Sequence, residues 1–382
     1  MRKVATVTGT RAEYGILNPV LRAIQDKPDL KLLLVVTGMH LSHEFGYTVN
    51  EIEKDGFKIS ARVEMISGSD TLEAMAESVG RGIIGMARTW EQLKPDIILV
   101  LGDRVEPLSA AISGAYMNIP VAHIHGGDSP RGGLDEYARH AITKFAHIHF
   151  PATEKSAGRI IKMGEDEWRV HTVGSPAIDF ILSEPSISVT ALSQSLGVDL
   201  SQPFILVAQH PVTTQSDKAT WQMRQTLEAV LATGYPAVVI YPNSDAGGRR
   251  MIDVIAEFEK HPSIKTFKSL PRKEYLSLMK LASVIVGNSS SAIIDSPSLG
   301  IPAVNIGIRQ EGRERGDNII DVTHDENEIK NAINKAISDD KFKNIVKKCR
   351  SPYGDGKSSQ RIVDILYNLE ITPQLLQKKL SY

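Results

Sequence analysis

Short runs rich in valine and isoleucine recur along the chain, each closed by glycine or a polar turn and followed by a longer stretch of helical period. Runs that are apolar throughout read as parallel strands buried on both faces, alternating with the helices that cover them. In the first half, Val4 to Val7, Leu32 to Val36, Ile97 to Leu101, Val121 to Ile124 and His147 to Phe150 are the expected strands. They end at TGTR, TGMH, LGDR, HGGD and PATE. Helical patterns fill the gaps, among them Leu72 to Leu93 and Asp135 to Ala146, and Pro19 is expected to break or restart the first helix. A second series starts near residue 200 with FILVAQH, AVVIYPN, SVIVGNSSS, AVNIG and IIDV, after a serine-rich linker holding Pro185 and Pro203. The expectation is an α/β chain with two Rossmann-like domains of mainly parallel sheet, residues 1–180 and 181–360, facing across a cleft. Residues 361–382 are expected to form a helical segment packing back on the first domain. Ligands of such sheets bind beyond the carboxyl ends of the strands.

The 382 residues suffice for two such domains. With 44 basic against 45 acidic residues, no global field favours nucleic acid or a membrane surface, so neither is an expected partner and any anionic ligand must be held locally. The start MRKVATVTGT lacks the apolar core of a secretory signal, and the expected location is the cytoplasm. The single cysteine, Cys349 in KKCR, can form no intrachain disulfide and reads as structural.

The strand ends carry the chemistry. In Thr8-Gly9-Thr10-Arg11, a tight strand-to-helix turn can aim free amides at an anion while Arg11 pairs with phosphate oxygens. His40, in TGMH, stands at the next strand end. Asp103 and Arg104, then His123, His125 and Asp128, then Asp135, Glu136, Arg139 and His140, bring carboxylates and imidazoles to one rim beside arginines, as proton transfer requires. A helix cap at Asp135 and an ion pair between Asp103 and Arg104 are the structural alternatives. His123, His125 and Asp128 match no standard metal-ligand spacing, so no metal or other cofactor is expected. In the second half, Gly287-Asn288-Ser289-Ser290-Ser291 offers amides and hydroxyls at a helix start, a cradle for a diphosphate, with Asp295 one turn inside the helix to accept from ribose hydroxyls. His210 and Asn243 follow two further strands, and Arg309, Arg313 and Arg315 form a basic loop.

Taken in order, VTGTRAEYG, VTGMH, VLGDR, HIHGGD, RHAITK, VGSPAID, QHPVT, PNSD, GNSSSAIID, PSLG, NIGIRQEGRERG and SPYGDG resemble the hydrolysing UDP-N-acetylglucosamine 2-epimerases of sialic-acid biosynthesis, across nearly the whole chain. The resemblance implies a GT-B fold, UDP held mainly by the second domain, acid/base groups supplied mainly by the first, and a homodimer or dimer of dimers. It places Asp103, Asp128 and Asp135 among the reacting carboxylates and Arg11 and His210 near diphosphate and sugar. Ser289, Ser290 and Asp295 match nucleotide contacts; His40, Asn243, Asn288, Ser291 and Arg313 complete the candidate site. The implied reaction expels UDP from carbon 1 as the carbon 2 hydrogen leaves, and water then adds to the glycal to release N-acetylmannosamine. Two positions depart from the family's usual HIHGGE and SSSxxIE, since Asp128 and Asp295 are each one methylene shorter. A hydrolysing epimerase acting on a diacetamido-trideoxy sugar, or on a GDP-linked sugar, is the nearest alternative. A glycosyltransferase and a nucleotide-sugar-binding protein without turnover are the more distant ones.

Overall fold

A computed structural model of the chain describes residues 1–43, 47–67, 72–128, 135–242 and 247–382, with the side chains of Ala12, Leu72, Asp135 and Thr213 outside that description. The chain divides into two compact units.

In the first unit six parallel strands, β1 (Arg2–Thr8), β2 (Leu30–Thr37), β3 (Ile59–Val63), β4 (Ile97–Leu101), β5 (Val121–Ile124) and β6 (Ile148–Phe150), lie in the order β3-β2-β1-β4-β5-β6. The pleat sends Val4, Leu34 and Leu99 to one core and Ala5, Val35 and Ile98 to the other, which is why both faces of these strands had to be apolar. Helix Arg11–Asp26 runs unbroken through Pro19, correcting the expected break. Its buried face of Leu17, Val20, Leu21 and Ile24 holds it on the sheet on both sides of the proline, and the carbonyl that the ring approaches belongs to Gly15, which carries no side chain.

The chain returns to this unit at Tyr353, ahead of the boundary at 361 read from the sequence. Helix Ser358–Asn368 buries Ile362, Val363 and Leu366 in the core that holds helix Arg11–Asp26, and Lys27 pairs with Asp364 at 2.8 Å. Asp179 receives the Ser358 and Ser359 N–H groups at 3.0 and 2.5 Å, so it caps this helix from a distant part of the chain.

The second unit repeats the plan. Strands β7 (Ile205–Ala208), β8 (Ala237–Ile240), β9 (Ile264–Phe267), β10 (Val284–Gly287), β11 (Ala303–Ile306) and β12 (Ile319–Val322) are all parallel, in the order β12-β11-β10-β7-β8-β9. In each sheet the order reverses once, between β1 and β4 and between β7 and β10, and the strand ends at such a point open a crevice for ligand. Among the described residues no helix is long and apolar enough to cross a membrane.

Candidate active site

The turn after β1 is closed from within. Thr10 accepts the Glu13 N–H at 3.3 Å, and the Glu13 carboxylate accepts the Gly9 N–H at 2.7 Å, the reciprocal cap that Thr-x-x-Glu spacing favours. This corrects the expectation that the Gly9 amide faces an outside anion, because the chain's own carboxylate occupies it. Arg11, expected on phosphate, lies at the surface paired with Glu51. Behind the turn stands Glu106, only 2% exposed. A Cβ on Gly9 would come 2.4 Å from its Cγ, and one on Gly38 2.5 Å from its Oε1, so two glycines let the backbone close over this carboxylate. Arg104 Nε lies 3.4 Å from Glu106 Oε2. Sequence reasoning passed over both glutamates; the Thr10-x-x-Glu13 spacing was the available signal for one, and nothing local marks the other.

Burial, and next the charge of Glu106, push the Glu13 carboxyl up to about 8. Its folded value lies above its free value of 4.5, so the folded state binds the extra proton and stability from this group is lost as pH rises from about 4.5 through 8. Glu13→Gln copies the neutral acid and keeps an acceptor for Gly9. The urea midpoint of the wild type, followed from pH 5 to 8, is expected to fall relative to the variant's, by up to about 1.4 kcal/mol per pH unit. Parallel curves would show that Glu13 is already ionised in the fold.

Beyond β4 and β5, two of the expected carboxylates, Asp103 and Asp128, follow neighbouring strands at one sheet edge. Asp103 pairs with Arg139, whose side chain is 5% exposed, on helix Asp135–Phe145. That partner, and not Arg104, is the one the structure provides. Asp135 is the first residue of the same helix. Asp128 follows the turn after β5, and its Oδ1 accepts from Ser156 Oγ at 2.7 Å. His125, in that turn, holds a left-handed φ of 63°, a conformation that non-glycine residues adopt mainly where surroundings enforce it. His123 is fully buried in the sheet and donates from Nε2 to the Gly102 carbonyl at 2.7 Å; burial lowers its pKa to about 3. It therefore orders the turn that presents Asp103. Among the described residues no cluster of histidine, cysteine and carboxylate groups could hold a metal ion.

His40 is a correction. Expected at the binding edge, it is 1% exposed, with Nε2 3.2 Å from Thr8 Oγ1 and Nδ1 2.6 Å from Thr48 Oγ1. Both ring nitrogens are satisfied inside the core, and burial lowers its pKa to about 4, which leaves a neutral structural ring.

In the second unit, His210 and Asn288 lock the reversal point. Asn288 Oδ1 accepts the His210 N–H at 2.7 Å and its Nδ2 donates to the His210 carbonyl at 2.9 Å, so both polar atoms of its side chain are tied to backbone. Its own carbonyl receives Arg309 Nη1 at 3.1 Å and Gln310 Nε2 at 2.9 Å, which docks the basic loop after β11. Within that loop Arg315 bonds the Gln310 carbonyl and Asp321, whereas Nε and Nη1 of Arg313 are buried with no hydrogen-bond partner among the described residues. Ser289 Oγ and Ser291 Oγ lie 3.0 Å apart, and Tyr275 OH lies 2.7 Å from Ser291 Oγ. Ser290 opens a helix of five residues, Ser290–Ile294. Asp295 is not inside a longer helix as expected. It stands at the junction with a second short helix, Ser296–Leu299, whose first turn contains Pro297. Burial raises the Asp295 carboxyl to about 6 against the opposing charge of Arg272, 3.8 Å away. Asn243 lies outside the described residues.

The family model for UDP-N-acetylglucosamine 2-epimerase matches residues 22–367. The chain belongs to this family. It is 38% identical over its full length, and that of its relative, to a UDP-N,N'-diacetylbacillosamine 2-epimerase (hydrolyzing) from Legionella pneumophila. A GDP/UDP-N,N'-diacetylbacillosamine 2-epimerase (hydrolyzing) from Campylobacter jejuni is 37% identical over 84% of each chain. The solved UDP-GlcNAc 2-epimerase from Neisseria meningitidis bound to UDP-GlcNAc superposes with a TM-score of 0.84 at 20% identity, over 96% of this chain and 100% of the other. The fold of the family, two doubly wound parallel sheets of GT-B type, is thus the fold of this chain.

Proposed function

We propose that this protein is a hydrolysing 2-epimerase of UDP-sugars whose preferred substrate is UDP-N,N'-diacetylbacillosamine, released as UDP and the free 2-epimer. The observation that carries this reading is the 38% identity, without truncation on either side, to a relative named for that substrate and that outcome. Motifs alone put N-acetylglucosamine first; the relatives weigh the other way. N-acetylglucosamine remains the second reading because the family model bears its name.

The second unit holds UDP in this reading. Arg313 brings to the diphosphate a guanidinium whose Nε and Nη1 have no hydrogen-bond partner among the described residues, the serine hydroxyls add donors, and Asp295 accepts from the ribose. Arg313→Gln is expected to weaken UDP binding roughly tenfold to a hundredfold, as losing a charged hydrogen-bond donor costs about 1.5–3 kcal/mol. Calorimetric titration with UDP measures it, and an unchanged Kd would remove Arg313 from the site.

The first unit supplies the acid/base groups. Breaking the anomeric bond builds positive charge at carbon 1 and makes the carbon 2 hydrogen removable by a carboxylate. A protonated carboxyl then returns a proton to carbon 2 on the opposite face while another orients the water that adds to carbon 1. Asp103, Asp128 and Asp135 are assigned jointly to these transfers. The balance is one water consumed, one UDP and one free sugar formed. In deuterated water the sugar should therefore carry deuterium at carbon 2. Incubation with each of the two UDP-sugars tests the reading: faster release from the diacetamido sugar is expected, and a nucleotide-linked epimer as end product would refute hydrolysis.

Asp128 bears on the choice of sugar. If its short side chain leaves room for the larger sugar, Asp128→Glu should shift the ratio of kcat/KM toward UDP-N-acetylglucosamine. Loss on both sugars together would instead mean that the longer carboxylate is simply misplaced, at about a hundredfold for a 1 Å error.

A further inference from the structure

Lys378 lies outside every motif read from the sequence, in the C-terminal tail, with its ammonium enclosed by the first unit. Nζ donates to the carbonyls of Thr143, Lys144 and Ala146 at 3.3, 2.9 and 2.5 Å, the last turn of helix Asp135–Phe145 and the residue after it. It also meets Glu165 Oε2 at 2.6 Å, and Glu165 is 1% exposed. Carbonyls at a helix end have no partner within the helix and carry partial negative charge, so a cation placed among them both satisfies and attracts them.

The same carboxylate reaches the helix a second time. Lys144 Nζ lies 2.5 Å from Glu165 Oε1, and His149 Nε2 lies 3.2 Å from Oε2. Burial would raise the Glu165 pKa, but hydrogen bonds from His149, Lys144 and Lys378 outweigh it and hold the group at about 2, an anion at any working pH. The tail that delivers Lys378 is itself fastened. Arg169 donates to the carbonyls of Leu375 and Gln374 at 2.8 and 2.7 Å, Leu375 is buried, and Ser381 N–H reaches the Gly164 carbonyl at 3.2 Å.

We propose that Lys378 is a positioning residue for the epimerase reaction, the tail's clamp on the far end of the helix whose first residue is Asp135 and whose Arg139 pairs with Asp103. A helix of eleven residues is a stiff rod of about 1.5 Å per residue, so its rear anchorage sets where its front end lies. The proposal rests on the reading that this helix bears an acid/base group.

Lys378→Met removes the charge and keeps the stem. Expected are a kcat lowered roughly tenfold to a hundredfold, a Kd for UDP within about twofold of wild type, and faster amide hydrogen exchange along residues 135–146. Lys378→Arg should recover most of the lost kcat. Should the methionine variant fail to fold, Lys378→Gln, which keeps a donor without charge, is read by the same measurements. Unchanged kcat, a parallel loss of UDP binding, or an arginine variant no better than methionine overturns the proposal. Exchange is measured without substrate, so a wild type that turns over neither sugar would defeat the functional reading and leave the clamp still tested.

Discussion

Asparagine in place of Asp103, Asp128 or Asp135 is expected to lower kcat by about a hundredfold or more while UDP binds as before. The amide keeps the size of each group and one acceptor oxygen but loses the basicity. At Asp128 the acceptor is the one that Ser156 Oγ uses, so the local hydrogen bond survives and a kinetic loss there reports proton transfer. At Asp103 the substitution also strips the counter-charge from buried Arg139, and the loss should be the largest of the three. Neutralising one member of a buried ion pair weakens the pair, so Asp103→Asn should unfold at lower urea as well. The Asp103→Asn, Arg139→Gln double variant separates the two effects: it should regain stability and no activity. Three asparagine variants with near-normal turnover would make the carboxylate edge structural and remove the proposed chemistry.

The legible part of the fold was the part buried on both faces. All ten strands expected from the sequence are present, and eight of them are central parallel strands, which have no polar face and show as uninterrupted runs. The two that were missed, β3 as ISARV and β9 as IKTF, are both edge strands. One side of each is uncovered, so Arg62 and Lys265 interrupt the pattern and the run vanishes. The site divides in the same way. A carboxylate after a strand could be placed on a sheet edge from its position alone, as Asp103 and Asp128 were. Whether a group faces ligand or core depends on what packs over it, which is why His40 and the Gly9 amide were misread: Thr48 and Glu13 reach them from the following segments. Asn288 shows the same limit, since its partner His210 is distant in the chain and adjacent only once β7 and β10 pair.

Gly287→Ala is expected to be the most damaging single methyl group in the second unit. Gly287 ends β10 with φ at 131°, outside the regions open to other residues, and a Cβ there would stand 2.2 Å from the Ala208 carbonyl oxygen and 2.6 Å from its carbon. Neither neighbour can yield cheaply, since Ala208 is the residue paired with Gly287 across the two central strands and also accepts the Ser289 N–H at 3.1 Å. Backbone strain alone costs about 1–3 kcal/mol, and the clash adds to it, for a loss on the order of 3–5 kcal/mol. Any relief must separate β10 from β7 at the point where Asn288 and His210 are tied, so UDP affinity should fall with stability. Gly300→Ala is the control. Gly300 also has positive φ, 66° at the end of helix Ser296–Leu299, yet a Cβ there meets nothing within 4 Å, and the expected cost is only about 1 kcal/mol. Urea unfolding and UDP titration of the two variants distinguish the causes. If Gly287→Ala costs no more than Gly300→Ala, the close approach at the reversal point is not what fixes these strand ends.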